Sequence, residues 1–202
     1  MDTSWNRNEA LLRGRAVAVP GLSHSNHGVE YFTFPLEVDR LSGAADTLNI
    51  VLPRAMAERC PIYPGQHYQV EGEVRSYNNR SGEGRRLVIT LLARSVTPDP
   101  GPCDNRLELA GTICKTPTLR RTPLGREICD LLLAVNRRYG RADYLPCIAW
   151  GSLARNCGTL EVGDPLCLTG RLQSRVYHKQ LGETEEDRIA YEVSIMGLNP
   201  VP

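Results

Sequence analysis

The 202-residue chain is written twice. Gly14 and Pro20 recur as Gly111 and Pro117, and Gly28 and Glu30 as Gly125 and Glu127, all 97 residues on. Gly65 and Gly72 recur as Gly163 and Gly170 at a distance of 98. A repeat of that length is a whole small domain, because solenoid units run to only about 20 to 50 residues. The copies extend from Asn8 to Val96 and from Asn105 to Leu198, each of a size that buries only a modest core. Between them Thr97-Pro98-Asp99-Pro100-Gly101-Pro102 holds three prolines in five residues. Proline lacks the donor that a ladder needs and its ring stiffens the chain, so this stretch is predicted to be neither helix nor ladder strand. The expected organisation is an N-terminal domain over 1–97, a linker over 98–104 and a C-terminal domain over 105–202.

Within each copy the pattern is that of short strands, in keeping with 18 glycines and 14 prolines. Ala10–Val19 is interrupted by Gly14, as a strongly bent barrel strand would be. Glu30–Asp39 alternates, with Phe32, Phe34, Leu36 and Val38 on one side. Strands are predicted at Thr47–Leu52, Gln66–Ser76 and Arg85–Ser95, with a helical turn at Arg54–Arg59. The second copy repeats the order: strands at Leu107–Cys114, Ile128–Asn136, Tyr144–Trp150, Pro165–Tyr177 and Arg188–Ile195, with a short helix at Ser152–Cys157. The fold class expected is therefore all-β, two tandem OB-fold barrels of five Greek-key strands, each with a short helix between strands three and four. Periodicity alone leaves other small barrels open. The element order favours this one.

Net charge is only +1, so bulk electrostatics announce no polyanion partner. The cations are nevertheless of one kind: of 24 basic residues only Lys115 and Lys179 are lysine. Arginine offers a planar, weakly hydrated fork suited to phosphates and bases, although a genome-wide compositional bias explains the preference equally well. Seven cysteines form no C-x-x-C pair, and the four histidines show no ligand spacing. Most cysteines lie in apolar strand-like runs, where a free thiol acts as a small hydrophobe, which implies a reducing compartment. Neither a metal nor a cofactor is expected. Met1–Asn6 lacks a basic segment followed by an apolar one, and no apolar run approaches a membrane span, so a soluble cytoplasmic protein is expected. No Gly-rich phosphate loop, Gly-x-Ser-x-Gly or carboxylate pair beside a histidine suggests an enzyme. The acidic run Glu183–Asp187 reads as a solvated hairpin tip.

Four stretches of the second copy carry a family resemblance: Gly111–Arg120 with its Pro-x-x-Arg turn, Gly125–Arg137, Asp143–Ala154 led by an aromatic, and Gly163–Tyr177. In that order and at those separations the copy resembles the bacterial single-stranded DNA-binding protein (SSB) family. The resemblance implies an OB-fold that binds single-stranded DNA without sequence preference, in replication, repair or recombination, and implies no catalysis. Typical members carry one such domain and assemble four; this chain carries two, so a homodimer is expected. Members also end in an acidic, phenylalanine-containing tip that recruits other enzymes, whereas Asn199-Pro200-Val201-Pro202 has none, so such recruitment is not expected.

Binding of this type needs aromatic platforms for bases and cations along the backbone, each stacked base contributing about 1–3 kcal/mol. Period-two alternation puts Tyr144, Pro146, Ile148 and Trp150 on one face and Leu145, Cys147 and Ala149 on the core side. By resemblance Tyr144, Trp150 and Tyr177 match the family's stacking aromatics. Each has a structural alternative, Trp150 most of all, since it ends an apolar run. The candidate cations are Lys115, Arg120, Arg121, Arg126, Arg137, Arg138, Arg171 and Arg175. In the first copy Tyr77, Arg80 and Arg85 join the candidate interface, with Tyr31, Arg75 and Arg86 as further equivalents and Phe32 assigned to the core. Two rival readings remain: an accessory replication protein of primosomal or plasmid type, and a protein-interaction scaffold whose barrels do not touch DNA.

Overall fold

The computed structural model describes residues 7–79, 87–137, 140–181 and 184–200; of 177–181 and 184–188 it describes the backbone alone. The first copy comprises β1 (Arg7–Ala16), β2 (Gly21–Asn26), β3 (Val29–Asp39), β4 (Ala45–Pro53), α1 (Arg54–Arg59), β5 (His67–Asn78) and β6 (Leu87–Pro98). The second comprises β7 (Asp104–Arg121), β8 (Glu127–Asn136), β9 (Ala142–Trp150), α2 (Ser152–Cys157), β10 (Pro165–Leu181) and β11 (Thr184–Asn199).

Hydrogen-bonded neighbours run β10-β11-β9-β8-β7-β1-β5-β6-β4-β3-β2, and two further pairings, β1 with β3 and β7 with β10, close this sheet into two barrels. In each barrel one pair of strands is parallel, β4 with β6 through Ile50 and Leu91 in the first and β9 with β11 through Cys147 and Val193 in the second. These are tandem OB-fold barrels. The inward alternation is as the sequence predicts: Leu12, Phe34, Leu36, Leu48 and Ile50 fill the first barrel, and Leu109, Ile113, Leu133, Leu145 and Ala149 the second, all at most 1% exposed. A fully buried leucine of this kind stabilises by about 1.5–3 kcal/mol. All seven cysteines are free and four are buried, Cys129, Cys147 and Cys157 within the core. Burial, helped by neighbouring Cys129, pushes the Cys157 thiol up to about 11, and burial raises Cys147 as well, so both stay protonated hydrophobes.

The bend predicted at Gly14 is a close approach. A Cβ there would run into the carbonyl oxygen of Glu37 on β3, because β1 turns at this point from β5 onto β3. Gly111 does the same in β7, where a Cβ would sit 2.5 Å from the Ala134 oxygen. Gly72 and Gly170 follow β-bulges and press against Leu92 and Ser194 in the same way.

Three expectations need correction. The β5–β6 ladder continues through Thr97 and Pro98, which pair with Gln69 and Tyr68, so only 99–103 lie outside strands. Pro98 ends the strand, where a missing N–H costs little. The segment Gly21–Asn26, every residue of it exposed, forms the edge strand β2 against β3. Thr184–Asp187, expected in a hairpin tip, pair with Leu181–His178 as strand; Gly182 and Glu183 lie outside the described residues.

The barrels meet through an antiparallel ladder between β1 and β7, from Arg7 opposite Ala110 to Arg13 opposite Asp104. At its centre Ala10 faces Leu107, its own counterpart in the repeat. A pseudo-two-fold axis therefore passes through that pair, and the duplication is an internal dimer. Two polar clasps flank the ladder. Arg40 donates to Asp46 at 2.7 Å and to the Ser174 carbonyl at 2.8 Å, and the Ser174 N–H and hydroxyl donate to Asp46 at 2.6 and 2.8 Å. Arg137 donates to Asp143 at 2.6 Å and to the Ser76 carbonyl at 2.9 Å, and the Ser76 N–H donates to Asp143 at 2.5 Å. Both aspartates are fully buried. In each clasp the carboxylate belongs to one barrel and the serine to the other.

Candidate nucleic-acid interface

On β9 the alternation delivers Tyr144 and Trp150 to the outer face, 50% and 40% exposed, while Leu145, Cys147 and Ala149 are buried in the core. Gly151 adopts φ +58°, a conformation open to glycine, and turns the chain into α2 directly after Trp150. Between the two aromatics Pro146 is half-buried, and Ile148, flanked by Asp130 on β8 and Ser194 on β11, is buried. The face is therefore two separate aromatic platforms, not the open apolar stripe the alternation suggests. Register carries the same face onto β10, where Arg171 stands opposite Ser194, Gln173 opposite Glu192 and Arg175 opposite Ala190. Gln173 donates to Glu192 at 2.9 Å, and both are buried.

The candidate cations fall into three groups. Lys115, Arg126 and Arg171 have no carboxylate partner among the described residues; Lys115 and Arg126 are exposed. The Arg171 Nε is shielded and has no hydrogen-bond acceptor among the described residues. Arg120 grips Asp130 through Nε and Nη2 at 2.5 and 3.3 Å, Arg121 reaches Glu127 at 3.5 Å, and Arg175 reaches Glu192 at 3.6 Å, all from exposed positions. Glu127 also accepts from Arg155, the main reason its carboxyl titrates below the ordinary range. Arg137 stands apart from both groups. It is consumed by the clasp around Asp143, so the interface is drawn without it.

The Tyr177 backbone pairs with Arg188 in the β10–β11 hairpin. Its side chain, together with Arg80, Arg85, Arg86 and Arg138, lies outside the described residues. Tyr77 is 55% exposed on β5. Arg75 joins the clasp by donating to Asp143 at 3.1 Å. Phe32 is half-buried and packs on the core. In the first barrel Thr47 and Pro53 occupy the positions 97 residues before Tyr144 and Trp150. One strand over, Tyr31 on β3 stacks against His24 on β2 with centroids 4.9 Å apart.

Sequence reasoning missed the clasps, although a signal was present. Arg40, Asp46 and Ser76 recur as Arg137, Asp143 and Ser174 at the offsets of the repeat, 97 or 98. Polar residues repeated in an otherwise diverged pair of copies mark contacts that the internal dimer needs.

Comparison with known proteins gives a consistent result. Residues 104–198 match the model of the single-strand binding protein family. Single-stranded DNA-binding protein A of Bacillus subtilis is 37% identical over 86 residues, 39% of this chain and 50% of the relative. A single-stranded DNA-binding protein of Clostridium tetani is 33% identical over 85 residues, 39% of this chain and 59% of the relative. The chain thus spans about half the length of the curated relatives it matches. Among solved structures, wild-type single-stranded DNA binding protein from Thermus aquaticus superposes with a TM-score of 0.78 at 25% identity, covering 96% of this chain and 92% of that one. That superposition takes in both barrels.

Proposed function

We propose that the chain, whose residues 104–198 match the single-strand binding protein family model, is a member of that family and binds single-stranded DNA, largely without regard to sequence and without catalysis. The observation that carries this reading is the pair Tyr144 and Trp150, held half-exposed on one strand whose alternate residues form the core. A large aromatic ring left in water is unfavourable unless a partner covers it. A nucleobase does so with a π-face common to all four bases. Lys115, Arg126 and Arg171 supply charges for the phosphates, Arg120, Arg121 and Arg175 border the same surface, and Tyr177 follows along β10.

The partner is single-stranded DNA in bacterial replication, repair or recombination, and the compartment is the cytoplasm. No helix among the described residues is long and apolar enough to cross a membrane. A second copy of the chain completes the assembly, two internal dimers giving four barrels; sedimentation would read this directly. Titration of labelled oligo-dT and of duplex DNA tests the main reading. Preference for the single strand, with quenching of tryptophan fluorescence, is expected, as is a loss of affinity of about 5- to 150-fold on Trp150→Ala, the equivalent of one stacked base. No binding of oligo-dT at low salt would reject it.

A further inference from the structure

The two clasps that join the barrels share a backbone geometry but not the side chains that follow it. At the Asp143 seam the Ser76 N–H donates to Asp143 at 2.5 Å, and the Tyr144 N–H donates to the Ser76 hydroxyl at 2.7 Å. Tyr77 is the next residue after Ser76, and Tyr144 the next after Asp143. Two hydrogen bonds therefore fix the points from which the tyrosines leave the backbone, one from each barrel. Both rings are half-exposed, and neither finds a hydrogen-bond partner for its hydroxyl among the described residues. Beneath them Asp143 is fully buried between Arg75 and Arg137, so the backbone that carries both rings is held in place by the clasp.

At the opposite seam the repeat puts Thr47 where Tyr144 stands and Arg175 where Tyr77 stands, 97 residues before and 98 after. The Thr47 carbonyl accepts from the Tyr191 hydroxyl at 2.8 Å, and Arg175 lies 3.6 Å from Glu192. That seam offers no aromatic from either of those positions.

We propose that the Asp143 seam is a base-stacking step of the DNA path to which both barrels contribute, Tyr144 from the second and Tyr77 from the first, while the Asp46 seam is not. The proposal rests on the single-stranded DNA reading above and adds where the first barrel takes part. A strand that stacks on Trp150 and on Tyr144 meets Tyr77 next, across the seam. The path over the internal dimer is thus one-sided, although the backbone is two-fold. The clasp already holds the backbone on both sides of the seam, so binding has only the two side chains left to order.

The test uses the full chain, with Tyr77→Ala, Tyr144→Ala and the pair combined, beside Thr47→Ala at the other seam, where Thr47 is exposed and Tyr191 engages only its backbone carbonyl. Urea unfolding first establishes that each variant is folded. Against oligo-dT at fixed salt, Tyr77→Ala and Tyr144→Ala should each weaken binding by about 5- to 150-fold, the range for one stacked base, and Thr47→Ala by less than about twofold. Oligonucleotides carrying a single 5-iodouracil should cross-link to Tyr77 and Tyr144 from positions no more than two nucleotides apart. If Tyr77→Ala binds within twofold of the parent while Trp150→Ala is weakened in the same assay, the seam proposal is overturned and single-strand binding stands. If the parent itself fails to bind oligo-dT, the wider reading falls first.

Discussion

Asp46 and Asp143 are the most consequential single residues of the architecture, because each is a fully buried carboxylate whose partners come from two barrels. Removing one member of such a group leaves the others charged and uncompensated, which typically costs about 3–5 kcal/mol. Asp143→Asn, facing Arg75 and Arg137, should lower stability by that amount in urea unfolding monitored by circular dichroism; a loss below about 1 kcal/mol would show that the arginines find water instead. Asp46 adds a pH dependence. Burial pushes its carboxyl up, but hydrogen bonds from Arg40 and from the Ser174 N–H and hydroxyl together outweigh burial and hold it below the ordinary aspartate value. A folded value below the unfolded one means that the carboxylate's stabilisation is complete above about pH 4 and is lost as pH falls through the lowered value. The stability gap between the parent and Asp46→Asn should therefore be widest near neutrality and narrow steadily below pH 4. A gap independent of pH would contradict this account of Asp46.

At the scale of the element, the barrels close only where glycine lets one strand cross another. A methyl group at Gly111 would sit 2.5 Å from the Ala134 carbonyl oxygen, and relieving that contact means moving β7 away from β8. Overpacking of this order costs about 1–3 kcal/mol, more where backbone must move. Gly111→Ala should lower the melting temperature clearly, whereas Gly125→Ala, with open space at its Cβ but a φ of +77°, reports only the cost of a strained turn. Gly111 was legible in the sequence because it interrupts an apolar run at a place the other copy repeats as Gly14. The helices Arg54–Arg59 and Ser152–Cys157 were legible too, and so was the alternation along β9. Strand β2 was not, since Gly-Leu-Ser-His-Ser-Asn has no apolar alternation and is held by backbone pairing with β3 and the stacking of His24 on Tyr31. Ile148 was read as open surface because the strand pattern does not show that its neighbours cover it. Arg137 looked like a free loop cation because its carboxylate, Asp143, is reached only once the β8–β9 hairpin closes, and its other acceptor, Ser76, belongs to the other barrel. Such pairing is tertiary, and its trace in the sequence is the recurrence of Arg40, Asp46 and Ser76 as Arg137, Asp143 and Ser174 rather than any local spacing.

For the whole molecule, the decisive feature is how many of the described arginines are already paired. Arg7, Arg13, Arg15, Arg40, Arg54, Arg75, Arg106, Arg120, Arg121, Arg137, Arg155 and Arg175 each lie against a carboxylate. A chain of net charge +1 built this way does not draw a polyanion by its overall field. On the outer face of the second barrel only Lys115, Arg126 and Arg171, of the described candidate cations, lack such a partner. Three phosphate contacts on a single strand correspond to a slope of about −2 in log affinity against log salt, since each contributes roughly −0.7. Raising salt from about 50 to 200 mM should then weaken oligo-dT binding roughly twentyfold, far less than the thousandfold or more lost by proteins making six or more such contacts. What remains at high salt is stacking on Trp150, Tyr144 and Tyr77, so replacing these aromatics should lower affinity by a similar factor at every salt concentration. Replacing Arg171 with alanine should instead reduce the slope by about 0.7 and have its largest effect at low salt. A parent slope steeper than about −4 would mean that Arg120, Arg121 and Arg175 exchange their carboxylates for phosphates on binding, and would shift the interface from an aromatic track to an electrostatic one.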